Sequence, residues 1–151
     1  MYKLVFFSLV LAACGGSQEA KVPAAAPPSK PAEAPVAPVG KDGPESIKVP
    51  LIAEVPTDAA SIAAGEQVWT AKGCAACHKF GEKLVGPDLK GVFGRRTVPW
   101  VERQIAEPSL MIRQDPQAKA LFAQYMVEMT RQGVSDAEMA TLLAYIKAQG
   151  G

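Results

Sequence analysis

The chain has 151 residues, 48% of them hydrophobic and 21% charged, with a formal net charge of +1. That length allows one or at most two small domains, and the near-neutral charge argues against a nucleic-acid binder, which would carry a basic excess. The composition is uneven, since nine of the 13 prolines fall between Pro23 and Pro56.

The chain opens "MYKLVFFSLVLAACGGS". Lys3 gives a basic start, and Leu4 to Ala13 is an uncharged, mostly apolar run. It is too short to span a bilayer, which needs about 20 residues, and fits the apolar core of an export signal. "LAAC", ending at Cys14, resembles the lipobox of bacterial lipoproteins. The resemblance implies cleavage after residue 13 and acylation of Cys14 on its sulfur and its new amino group. Several acyl chains exceed the two-signal threshold for stable anchoring. The alternative is an ordinary signal with an incidental cysteine. Either way the protein is expected on the extracytoplasmic (periplasmic) face of a bacterial cell envelope, lipid-anchored to a membrane if Cys14 is acylated.

Residues 14–56 are rich in Ala, Pro, Lys and Glu. Such a segment buries too little apolar surface to offset its ordering entropy, so it reads as a disordered linker. About 40 residues of this kind reach roughly 35 Å as a flexible coil and about 120 Å as extended polyproline helix. The folded domain is then expected over 57–151.

That domain reads as helical, with no strand pattern. Thr57 or Ser61 can cap a first helix running to about Lys72, with Ile62, Val68 and Trp69 at helical spacing and Gly73 as its stop. Shorter helices are expected at 99–106 and 116–128. "SDAE" is a capping box, Ser135 to Glu138, and opens a last helix whose Met139, Leu142, Leu143 and Ile146 form an apolar stripe.

Between these helices lies "GCAACHKFGEKLVGPDL", which holds Cys74, Cys77 and the chain's one histidine, His78. Structural zinc wants four protein ligands, and with Cys14 at the other end of the chain only three remain. A thioredoxin-like pair belongs near a βαβ pattern, and none is visible. Cys-x-x-Cys-His is the attachment motif of c-type haem: two thiols add to the vinyl groups and the adjacent imidazole binds the iron. One covalent haem c is therefore expected.

From Ala63 to Gln149 the chain resembles a small monohaem class I cytochrome c. "AAGEQVWTAKGCAACH" is similar to that family's first helix and haem motif, "GPDLKGVFGRRT" to the loop that follows, and "LLAYIKAQ" to its last helix. The resemblance implies an all-α fold, with helices wrapped around one haem after the disordered linker. It implies that Gly65, Trp69 and Tyr145 pack where the first and last helices cross. It implies that the Pro87 carbonyl accepts a hydrogen bond from His78, that Leu89 packs on the haem and that Arg95 pairs with a propionate. Trp100 either reaches a propionate or is simply core.

The sixth iron ligand is left to methionine, lysine or an open position, since no second histidine exists. The family places its methionine in a loop shortly before the last helix. Met129, six residues before Ser135, matches, although Thr130 stands where the family has proline. Met126 and Met111 remain alternatives, and Met139 reads as core. With His and Met both bound, the iron has no substrate position, which makes the protein an electron carrier and not an enzyme. Between Lys72 and Arg96 six cations face two anions, a patch able to steer docking onto acidic partner surfaces. The expected partners are a redox donor and acceptor, membrane-bound respiratory complexes or a periplasmic reductase or oxidase. The membrane is contacted through the lipid anchor, and no nucleic acid is bound. A peroxidase-like enzyme or a gas or redox sensor, with the sixth position open, is the alternative.

Overall fold

The structure, a computed structural model, describes residues 42–150. The signal at 1–13, Cys14 and the first part of the 14–56 segment lie outside the described residues. Those described are helical, with no strand among them, and none of the helices is long and apolar enough to cross a membrane.

The first helix, α1, spans Ala59–Ala71. Its cap is Asp58 instead of Thr57 or Ser61: the carboxylate accepts from the Ser61 N–H at 2.9 Å. Three capping side chains lie within five residues, and the extended backbone of Asp58 decides between them. At the other end Gly73 adopts φ +69, the left-handed turn that stops the helix. The last helix, α6, spans Asp136–Gly150. Its capping box is reciprocal, with Ser135 N–H on Glu138 Oε2 at 2.8 Å and Glu138 N–H on Ser135 Oγ at 3.3 Å.

The expected stripe of Met139, Leu142, Leu143 and Ile146 is fully buried, each side chain contributing about 2 kcal/mol over an exposed one. It packs toward α1. The two helices meet so closely at Gly65 that a Cβ there would stand 1.9 Å from the Thr141 carbonyl oxygen. Trp69 and Tyr145 rings lie 5.7 Å apart, and Phe80 joins them at 5.2 and 6.0 Å, a three-ring cluster that the sequence reading did not include.

Between α1 and α6 run a single 3₁₀ turn, Cys74–Ala76, and four short helices: α2 (Val92–Arg95), α3 (Val98–Ala106), α4 (Pro108–Gln114) and α5 (Pro116–Tyr125). The sequence reading missed α2 and α4 and carried α5 three residues too far. Pro108 is the first residue of α4, where its missing N–H costs nothing. Asp115 then caps α5 by accepting from Gln117 and Ala118 N–H groups at 2.9 Å. Met126 ends α5 with φ +55.

The boundary expected at residue 57 also moves. Within the segment read as linker, Ile47 and Val55 are 2% and 4% exposed and belong to the hydrophobic core. This strap is pinned by side chains of α3. Arg103 donates to the Ile47 carbonyl at 3.0 Å and to that of Asp42, and Glu102 accepts from the Ile52 N–H at 2.9 Å. Proline-dominated composition hid four apolar residues, Ile47, Val49, Ile52 and Val55, all of them in contact with the core.

Candidate cofactor site

The site is built where α1 ends. The left-handed Gly73 turns the chain into the 3₁₀ turn, so that Cys74 O accepts from both Cys77 N–H and His78 N–H. Cys74 is half-buried, Cys77 is exposed, and both are unbridged thiols. Burial pushes the Cys74 thiol above its ordinary value. Among the described residues no three His, Cys, Asp or Glu side chains gather as a metal-ion cage.

His78 is oriented as the resemblance implied. Its Nδ1 lies 3.0 Å from the Pro87 carbonyl oxygen. A carbonyl only accepts, so Nδ1 carries the proton and Nε2 presents a bare lone pair. Burial lowers the imidazole's pKa, with the Pro87 hydrogen bond opposing, and so favours the neutral ring that a metal needs.

The loop that supplies Pro87 is held on its own account. Gly86 N–H donates to Cys77 O at 2.8 Å, Leu89 N–H to Lys79 O at 3.0 Å, and Asp88 Oδ1 accepts from Gly81 and Lys90 N–H groups at 2.7 Å. Gly86 lies against the imidazole: a Cβ there would stand 2.6 Å from His78 Cε1. The sequence reading named Pro87 but neither Gly86 nor Asp88; the glycine before the proline was the available signal.

Arg95 donates to the carbonyls of Asp88 and Lys90 at 2.9 and 2.6 Å, so its guanidinium braces the same loop. Leu89 is half-buried against the core. Trp100 is 3% exposed, and its indole N–H is buried with no hydrogen-bond partner among the described residues. The Arg96 guanidinium lies 5.0 Å from its ring centre. An orphaned buried N–H is costly, and it calls for an acceptor of the kind a propionate supplies.

The methionines separate by environment. Met111 is fully buried, with Gly43 of the strap close to its sulfur. Met139 is core, as expected. Met126 is 73% exposed at the end of α5. Met129 is half-buried at the core's edge, with its sulfur 4.0 Å from Gln104 Nε2. Gln104, one helical turn beyond Trp100 on α3, was not anticipated.

Two unbridged thiols, a neutral imidazole with Nε2 open and an orphaned indole N–H fit a haem held by Cys74, Cys77 and His78. The comparisons agree. The family model for cytochrome c matches residues 62–149. Among solved structures, a cytochrome c from Rhodothermus marinus is 30% identical over 72% of this chain and 90% of its own, with a TM-score of 0.61. An engineered cytochrome c from the same organism is 29% identical, with a TM-score of 0.61, covering 72% of this chain and 91% of its own. The engineered form bound to a carbene intermediate, also 29% identical, covers the same shares with a TM-score of 0.58. No curated protein matches the chain.

Proposed function

The chain belongs to the cytochrome c family and carries one covalently attached haem c, and from that premise we propose that it is a membrane-anchored, extracytoplasmic electron carrier of a respiratory chain, with His78 and Met129 as its iron ligands. The family supports haem-based electron transfer. Bound haem supplies an iron that changes charge by one electron, at a potential raised by thioether ligation. The residues do the rest. Cys74 and Cys77 would hold the group, Pro87 fixes the His78 tautomer, and Met129 would supply the second protein ligand to the iron.

The observation that carries this reading is the contrast among the methionines. Met111 and Met139 are sealed in the core and Met126 stands in solvent, whereas Met129 is half-buried beside α3, which also bears the orphaned Trp100 N–H. A carrier needs such a ligand, because an iron held on both sides has no position for substrate.

Docking to acidic redox partners rests on the basic surface around the haem motif. Two of its six cations spend their charge locally, Lys72 on Glu138 at 3.0 Å and Lys79 on Glu82 at 3.2 Å. The Lys79 pair is already included in the count of six cations against two anions, but Glu138 lies outside that stretch, so the Lys72 pair makes the steering field weaker than the count suggests; the field acts on encounter rate more than on affinity. Anchoring rests on the lipobox at Cys14 and the apolar run before it.

The test is the absorbance of haem-loaded wild type and Met129→Ala. Ferric wild type is expected to show the weak near-red band of sulfur-bound haem, and the variant to lose it. A wild type without that band, binding carbon monoxide readily, has an open iron, and the carrier reading yields to an enzyme or a sensor. A band that survives Met129→Ala leaves the carrier in place with another methionine as ligand.

A further inference from the structure

We propose that Gln104 is a positioning residue for the sixth ligand: its side-chain amide donates an N–H to the Met129 thioether, holds the sulfur in place and raises the reduction potential. This rests on the reading of Met129 as iron ligand.

The geometry begins on α3. Gln104 follows Trp100 by four residues, so the two side chains share a face. That face carries two buried polar atoms with no hydrogen-bond partner, Trp100 Nε1 and Gln104 Oε1. Gln104 Nε2 lies 4.0 Å from Met129 Sδ, and among the described residues this is the amide's one hydrogen bond. A leucine would fill the space without desolvating an amide, and a buried amide without partners is costly. The glutamine therefore answers to the sulfur.

The loop around Met129 gives that bond its weight. Ser109 donates to Glu128, Arg131 pairs with Glu107 at 3.1 Å, and Lys72 donates to the Gly133 carbonyl at 2.9 Å. These contacts hold the loop on both sides of Met129, but none reaches its side chain. Gln104 alone does so by a directed bond. An N–H on the thioether draws on a sulfur lone pair and leaves less of it for the iron. Ferric iron, which demands more donation, loses more than ferrous iron, so the potential rises.

The experiment uses the full chain loaded with haem and compares wild type, Gln104→Leu, Gln104→Glu and Met129→Ala. Gln104→Leu is expected to lower the potential, moving the ferric–ferrous equilibrium about threefold, which is about 30 mV at 59 mV per tenfold for one electron. Its near-red band is expected to shift. Gln104→Glu donates only while its carboxyl is protonated. Its potential should match wild type on the acid side of the carboxyl titration and fall as pH rises through it. A Leu variant with the wild-type potential and band overturns the proposal, provided Met129→Ala loses the band. If the Leu variant does not load haem, the acid-side potential of Gln104→Glu decides, and a ferric–ferrous equilibrium there shifted about threefold toward ferric relative to wild type overturns it. A near-red band absent from wild type, or surviving Met129→Ala, overturns the proposal together with the ligand reading beneath it.

Discussion

The segments around His78 and around Met129 are held by different means. On the His78 side backbone bonds tie Gly86 to Cys77 and Leu89 to Lys79, and the Asp88 carboxylate and Arg95 guanidinium add side-chain ties to that backbone frame. On the Met129 side, among the described residues, no backbone–backbone hydrogen bond involves residues 127–134, and side chains reach in from α3, α4 and α1. Backbone ties survive most substitutions, because every residue but proline carries them. Side-chain ties are lost one mutation at a time. His78 is thus held in part by the chain's path, and Met129 by side chains that can be changed singly, which is where the properties of such a site can be tuned.

The largest expected effect removes the frame that both sides share. Gly65→Ala puts a Cβ 1.9 Å from a backbone oxygen of α6, which cannot yield as a flexible side chain can. The loss should be at least about 3 kcal/mol, the upper end of overpacking costs. Denaturant titration of the haem-loaded protein reads it, and a loss under 1 kcal/mol would mean that the crossing is not rigid.

A smaller effect sharpens the comparison on the proximal side. Gly86→Ala drives a Cβ against the imidazole at 2.6 Å, and should cost about 1–3 kcal/mol while leaving the Met129 near-red band at its wavelength. A band that moves as much as it does in Gln104→Leu would show that the two sides are not independent.

The smallest effect belongs to the distal side and depends on pH. Hydrogen bonds from Ser135 and Lys72 hold the Glu138 carboxyl down at about 2, below its ordinary 4.5. Its folded pKa is depressed, so its contribution to stability is present above about 4.5 and lost as pH falls toward about 2. Glu138→Gln should therefore be less stable than wild type at pH 7, with the gap closing across that window in acid-unfolding curves. A gap independent of pH would place the effect in packing, not in charge.

The features legible in the sequence are those written in short-range patterns. The haem motif, the capping box at Ser135 and the stripe on α6 each fix a residue by its spacing from another, whereas the glycine and aromatics of the helix crossing came from the resemblance to the family. The features that were not legible depend on partners distant in the chain. Nothing local told Gln104 from an ordinary helix residue, because its meaning lies in Met129, 25 positions on. The cap at Asp58 lost to equally good neighbours. Pro108 marked a helix start with the same residue that marks a stop. The strap was hidden because it adjoins the Ala- and Pro-rich stretch before it and was read as one segment with that stretch, although Ile47 and Val55 are as buried as the residues of α6.

That strap also sets the order in which the protein yields to mechanical load. A pull on the N-terminal end meets the Arg103 bonds at Asp42 and Ile47 first, then the amide of Ile52 on Glu102, then the buried Val55. Only after these four attachments part does tension reach α1 and the haem-bearing turn beyond it. The strap serves as a strain relief in series with the haem motif: traction on the chain ahead of it peels it off stepwise before any load reaches His78.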